Sequence, residues 1–491
     1  MTTHIEALAA AVRDLEADAR SLDPDREQRQ ALVDKANAYA QDFLESLATR
    51  PMYVHDPEEG RGLAGSPFGE EPQGMDTLLE LLDREVITPG LNPASPGHLG
   101  YIPGSGLFAG ALGDFLAAVT NRYAGIYAAS PGAARMETMV IKWFAEMAGY
   151  PDTAAGDLTS GGSIANLSAI VAARDRAGLK AREFHRAVVY LTAHTHHCVE
   201  KAVRTAGMGE AVIRLVDVDG AFAMDPEHLV AMIESDREQG LIPWLLVASA
   251  GTTDTGAVDP LESLADITRE HGLWFHVDGA YGAAFVLCPE GRERLAGIER
   301  SDSLTMDPHK GLFAPFGTGL LLVRDPVALH RPYQYQANYL QDETRLATMD
   351  QVSPAELSPE LSRHFRGLRV WLALKLVGVG AFRAALSEKM LLARYAWHRL
   401  SAMDGMAVGP YPDLSIVIFR FVPEQGNADA FNQDLVERIM ADGRVYLSST
   451  LINNTFMLRL AILSFRTHLE KLEQALTIIE TLCRQIGEEG L

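Results

Sequence analysis

The chain has 491 residues, 47% hydrophobic and 22% charged, with 42 Gly and 24 Pro, a composition that excludes extensive disorder and fibrous or disulfide-rich architectures. Asp and Glu number 65 against 43 Lys and Arg, giving a formal net charge of −22 that repels phosphate backbones and anionic headgroups and sets nucleic-acid and membrane partners aside. Cys198, Cys288 and Cys483 are odd in number and lack any CxxC spacing. With an acidic N-terminus unlike a signal peptide and no uncharged run of membrane-spanning length, they lead us to expect a soluble protein in a reducing cytoplasm.

Residues 1 to about 50 read as two helices. Ile5, Leu8, Ala9, Val12 and Leu15 recur at helical spacing, and Ser21 to Pro24 breaks the pattern. So short an amphipathic stretch cannot bury its stripe alone and is expected to pack on another domain or subunit. Pro51 to Pro72 reads as a linker, and helix returns over Met75 to Val86. From Leu99 to Val323 short apolar runs alternate with helices: AVVYLTA, AVIRLVDVD, WLLVASAG, LWFHVDGAY, SDSLTMD and GTGLLLVRD are the strand candidates. Such alternation implies a mostly parallel α/β sheet with ligands bound at strand C-terminal ends. Beyond Leu368 one long helix, a strand, a helix, a strand and a helix follow. The division expected is an N-terminal helical segment (1–93), a large α/β domain (94–368) and a small α+β domain (369–491).

Four motifs carry chemistry. Asp278 ends the apolar run Leu273–Val277, where a carboxylate is costly to bury without a cationic partner; a turn or N-cap carboxylate is the plainer alternative. Ala280, two positions on, leaves room for a flat ring. Lys310, after the strand-like SDSLTM and Pro308, reads as a Schiff-base lysine or a solvated charge. Thr159-Ser160-Gly161-Gly162-Ser163 before a helical run is either a phosphate cradle or ordinary capping. Gly104-Ser105-Gly106 through Gly110 lacks the strand and the acidic residue of a dinucleotide fingerprint. His194, His196, His197 and Cys198 suggest a metal cluster, but on a strand or turn His196 and His197 point to opposite faces; one histidine stacking on a flat cofactor fits the domain better, and no metal is expected.

Taken in order, TSGGSIAN, THHCVEKA, AGTTDTGAVDP, FHVDGAYGAA, DPHKGLF, SRHFRGLRVW and LRLAILSFRTH resemble the group II amino-acid decarboxylases, pyridoxal-phosphate enzymes of fold type I (aspartate aminotransferase-like). The resemblance covers nearly the whole chain from Met75. It implies that Lys310 carries the cofactor, Asp278 partners the pyridinium nitrogen, Ala280 lies beneath the ring and His196 stacks on it. It also implies that Gly162, Ser163 and His309 hold the phosphate with Thr252 nearby, and that Tyr339 is the loop tyrosine that protonates Cα. The active site is expected at the interface of a homodimer. Asp307 stands where many relatives have Asn. Tyr101, Ile102, Pro103 and Tyr123 form an expected aromatic-tolerant wall, and Ser362 replaces the glycine of indole-accepting plant relatives. Decarboxylation of an aromatic L-amino acid is the activity implied; acidic or diamino substrates, or aldehyde synthesis, are the alternatives.

Overall fold

The computed structural model describes residues 2–56, 60–334 and 352–489, in two compact units, Met1–Ser95 and Pro96–Leu491. In the first, helices Thr2–Ala19 and Arg26–Ser46 flank a 3-10 turn at Arg20–Leu22. Asp25 starts the second helix with a reciprocal capping box: its carboxylate accepts from the Gln28 N–H and the Gln28 side chain accepts from the Asp25 N–H, both at 2.9 Å. The apolar stripe of the first helix stays in solvent, with Ile5 59% and Leu15 71% exposed. The segment read as a linker contains β1 (Tyr53–Val54), which pairs antiparallel with β2 (Gly90–Leu91). Between them, helix Met75–Leu82 passes into a π turn at Asp83–Ile87.

The second unit is built on a seven-stranded sheet of β3 (Ala155–Thr159), β4 (Ala187–Thr192), β5 (Val212–Val216), β6 (Ile242–Ser249), β7 (Trp274–Asp278), β8 (Ser303–Met306) and β9 (Gly319–Val323). Their order is β3-β9-β8-β7-β6-β4-β5, with β9 antiparallel to both neighbours and the other pairings parallel. This is the expected mostly parallel α/β sheet. Strand side chains alternate between two buried faces. Val188, Tyr190, Leu246, Ala248, Phe275 and Val277 enter one core, while Val189, Leu191, Leu245, Val247 and Trp274 enter another under helix Gly162–Ala177. β3 was not among the strand candidates, because Ala155, Gly156 and Asp157 are poor strand formers. It is held instead by its ladder to β9 and by buried Arg363, which donates to Asp157 Oδ1 at 2.5 Å and to the Leu158 carbonyl at 2.6 Å.

A four-stranded antiparallel sheet follows, made of β10 (Met406–Val408), β11 (Ile416–Phe421), β12 (Ser448–Ile452) and β13 (Thr455–Ala461) in the order β10-β11-β13-β12. Helices Val379–Ser401, Ala428–Asp442 and Leu469–Glu489 accompany it. The long helix expected from Leu368 is in fact two, Arg366–Val377 and Val379–Ser401, bent by 91°. Gly378 makes the bend at φ +81°, where a residue with a Cβ would be strained. No single helix among the described residues is long and apolar enough to cross a membrane.

Candidate active site

The parallel strands direct their C-terminal ends to one side of the sheet, and Asp278 is the last residue of β7. It is 8% exposed, and both its oxygens are held: Oδ1 accepts from the Ala280 N–H at 3.1 Å and Oδ2 from Asn166 Nδ2 at 2.9 Å. Asp278 is not a helix N-cap, but the turn half of the plainer reading is present in its bond to the N–H two residues on; the second bond, from a side chain of helix Gly162–Ala177, goes beyond it.

Lys310 follows β8 through a single helical turn, Pro308–Gly311. Its Nζ lies 2.9 Å from Asp307 Oδ2. Burial by itself lowers the pKa of this ammonium, but Asp307, bonded to it, and Asp278 outweigh burial and hold it above the ordinary lysine value. Asp307 is 2% exposed, and its Oδ1 has no hydrogen-bond partner among the described residues. His309 donates from Nδ1 to the Thr318 carbonyl at 2.7 Å, and burial pushes it below the ordinary histidine value. Gly104, discounted as a dinucleotide loop, lies where a Cβ would meet the His309 carbonyl oxygen. Its glycine serves this close approach.

Helix Gly162–Ala177 starts with no side-chain cap, which leaves N–H groups of its first turn for an anion. A Cβ on Gly162 would stand 3.0 Å from Asp307 Oδ2 and 3.3 Å from the Ala280 Cβ, so glycine is what keeps this wall thin. His196 and His197 do not face apart as expected. The segment is a helical turn entering Cys198–Val203 rather than a strand, successive side chains diverge by less than half a turn, and the two rings pack 4.2 Å apart. The Cys198 N–H donates to His196 Nδ1 at 3.3 Å, which places the proton of the neutral ring on Nε2. Burial lowers the His196 pKa, Asp278 opposes that, and His197 and Lys310 add to it.

One cavity of about 360 Å³ gathers Gly162, Ser163, His196, Thr252, Asp278, Ala280, His309 and Lys310. Its size falls in the range of small-molecule and cofactor sites, roughly 300–1,000 Å³. Asn166, Cys198, Tyr281, Asp307 and Phe316 also line it. Of these, Asn166 and Tyr281 lie inside the quoted motifs without having been singled out, and Asn166 stands one helical turn beyond Gly162. Tyr101, Ile102, Pro103, Tyr123 and Ser362 are not among the lining residues. Tyr101 is 56% exposed, Tyr123 40%, and Ser362 is exposed. Tyr339 lies outside the described residues. The chemistry of the wall fits pyridoxal phosphate: an uncapped helix start for a phosphate, a buried carboxylate for a ring nitrogen, a primary amine for an aldehyde, and small Gly162 and Ala280 side by side.

The family model for the pyridoxal-dependent decarboxylase conserved domain matches residues 57–422. An aromatic-L-amino-acid decarboxylase of Bacillus atrophaeus is 35% identical over 91% of this chain and 93% of its own length. Tyrosine decarboxylase 2 of Narcissus pseudonarcissus is 30% identical, covering 94% and 95%. Among solved structures, Oryza sativa TDC with PLP and tryptamine superposes with a TM-score of 0.88 at 27% identity, over 94% of this chain and 99% of that one.

Proposed function

Given that the chain belongs to the pyridoxal-dependent decarboxylase family, with fold type I and pyridoxal phosphate as its cofactor, we propose that it converts an aromatic L-amino acid to its amine and CO2 in the cavity between Asp278 and helix Gly162–Ala177. The observation that carries this reading is the convergence of Asp278, His196, His309, Lys310 and the Gly162–Ser163 helix start on one cavity. Lys310 Nζ would bind the cofactor's aldehyde carbon. Gly162, Ser163 and His309 would hold the phosphate with Thr252 beside them, and His196 and Ala280 would hold the ring. The bound cofactor supplies the sink for the electron pair left by departing CO2. Asp278 keeps a proton on the ring nitrogen, placing its negative charge where positive charge must persist. Tyr339 delivers a proton to Cα once CO2 has left.

An aromatic side chain is favoured by the names of the relatives and by how Arg459 is engaged. This buried guanidinium donates to the carbonyls of Tyr101 at 3.4 Å, Asp254 at 2.9 Å and Thr253, and to Ser448 Oγ at 2.7 Å, so most of its donors are already committed to the protein beside the Tyr101 wall rather than held open for a second substrate carboxylate. Tyr101, Ile102, Pro103, Tyr123 and Ser362 would meet the substrate in a homodimer whose site lies at the subunit interface, an arrangement in keeping with the exposed Ile5–Leu15 stripe. The division into 1–93, 94–368 and 369–491 goes with that assembly. A cytoplasmic location is in keeping with three unpaired, buried cysteines. The test is a panel of L-amino acids read out as CO2, amine and peroxide in parallel. Phenylalanine, tyrosine, DOPA or tryptophan should give the highest kcat/KM with one amine per CO2; glutamate or diaminobutyrate at the top, or substantial peroxide, would overturn the substrate or the product. In Tyr339→Phe the amine-to-CO2 ratio should fall, and an unchanged ratio moves the proton donor elsewhere.

A further inference from the structure

Behind Asp278, outside the cavity's chemistry as described so far, runs a line of buried polar side chains. Trp274, His276 and Asp278 occupy alternate positions of β7 on the face turned to helix Gly162–Ala177. On β8, Ser303 is the register partner of His276 and Thr305 that of Asp278. Asn166, His276, Ser303 and Thr305 are all 0% exposed, a placement that costs free energy unless each polar atom is bonded.

Each is bonded. Trp274 Nε1 lies 2.8 Å from Ser303 Oγ, Ser303 Oγ 2.8 Å from His276 Nδ1, and His276 Nε2 2.8 Å from Asn166 Oδ1. Thr305 Oγ1 donates to the same Asn166 Oδ1 at 2.7 Å, and Asn166 Nδ2 donates to Asp278 Oδ2 at 2.9 Å. Both ends of the line fix its direction. An indole N–H only donates and a carboxylate only accepts. Asn166 must therefore turn its NH2 to Asp278 and its oxygen to His276 and Thr305. His276 then carries its proton on Nε2 and accepts at Nδ1 from the Ser303 hydroxyl, which in turn accepts from Trp274. One arrangement of protons satisfies every atom. It needs a neutral imidazole, and burial pushes His276 down to about 4.

We propose that Asn166 is a positioning residue for the decarboxylation: locked by the Trp274–Ser303–His276 line and by Thr305, it pins Asp278 Oδ2, and with the Ala280 N–H on Oδ1 holds the carboxylate in the one orientation in which it lines the cavity. This rests on the reading of Asp278 as the partner of the cofactor's ring nitrogen. A rotating carboxylate would spend part of its time misaligned with that nitrogen, so the line sets how well the charge is held.

The test uses the holoenzyme and four variants, Asn166→Ala, Asn166→Asp, Ser303→Ala and Asp278→Asn, read by visible absorbance and circular dichroism of bound pyridoxal phosphate and by kcat and KM separately. Asn166→Ala should lower kcat roughly 10- to 100-fold, the scale of a lost hydrogen bond to a charged group, with KM little changed and with the visible dichroism moved in the same direction as in Asp278→Asn. Ser303→Ala, three bonds from Asp278, should show a smaller change of the same sign. Asn166→Asp keeps the size but loses the donor, and should resemble Asn166→Ala. If Asn166→Ala does not fold, Asn166→Asp and Ser303→Ala decide the matter. Normal kcat and dichroism in the folded Asn166 and Ser303 variants, with Asp278→Asn altered, would overturn the positioning role and leave the reading of Asp278 intact. A fall in kcat with unaltered dichroism would also overturn it. Unaltered Asp278→Asn would remove the reading of Asp278 and this proposal with it.

Discussion

The two faces of β7 and β8 are equally dry and do different work. On one, Phe275, Val277, Leu304 and Met306, none more than 1% exposed, enter an apolar core. On the other, at alternate positions of the same strands, His276, Ser303 and Thr305 are 0% exposed and hydrogen-bonded toward Asp278. An apolar interior gains from burial directly, whereas a polar one recovers through its bonds little more than it loses on leaving water. The comparison teaches that stability is drawn from one face and a fixed charge from the other, so damage to each should be separable.

The largest separation is expected at Asp278. Asp278→Asn cannot hold the ring proton, and the barrier should rise by about 3–4 kcal/mol, on the order of 10²–10³ in kcat, with far-UV dichroism and the denaturation midpoint little moved. Near-normal kcat would refute the polar face's assigned task. Next comes Leu304→Ala on the apolar face, which should cost about 3 kcal/mol of unfolding free energy while kcat per folded molecule stays at the parent value. A kcat loss as deep as that of Asp278→Asn would mean the faces are not separable. The smallest effect is a displacement in pH. Asp307 holds the Lys310 ammonium above its ordinary pKa, and only the free amine attacks an aldehyde. Incorporation of pyridoxal phosphate into apoprotein should therefore speed up as pH rises through the raised value, and Asp307→Asn should reach the same rate at a lower pH. Stopped-flow absorbance measures this; superimposable pH profiles would show that Asp307 does not govern the lysine.

The sequence pattern yields the sheet and the cavity wall because both leave local marks. Apolar runs such as AVVYLTA write out strands buried on both faces, and Asp278 stands out as a charge at the end of one. What it hides is non-local. β3 depends on Arg363, more than 200 positions away. β12 hides because Asn453 and Asn454, both at positive φ, form a tight hairpin turn within one apolar stretch. The single long helix breaks at Gly378, whose flanking valines continue the helical period. Facing directions of His196 and His197 depend on whether the segment is strand or helical turn, and the helix N-terminus at Cys198 decided it. Asn166 carries the least signal of all: an Asn at a helical position is unremarkable until His276 and Asp278 of β7 and Thr305 of β8 are brought around it. Tyr101, Tyr123 and Ser362 were proposed from the family pattern, and a single chain does not bring them to the cavity.

The central claim is that this cavity carries pyridoxal phosphate on Lys310, with Asp307 and Asp278 as its charged neighbours. Borohydride reduction of the holoprotein, proteolysis and mass spectrometry test it most directly. The account predicts one pyridoxyl-phosphate adduct, on the peptide containing Pro308, His309 and Lys310, and its absence in Lys310→Ala. A stoichiometric adduct on any other lysine, or none from a protein that turns over substrate, would contradict it.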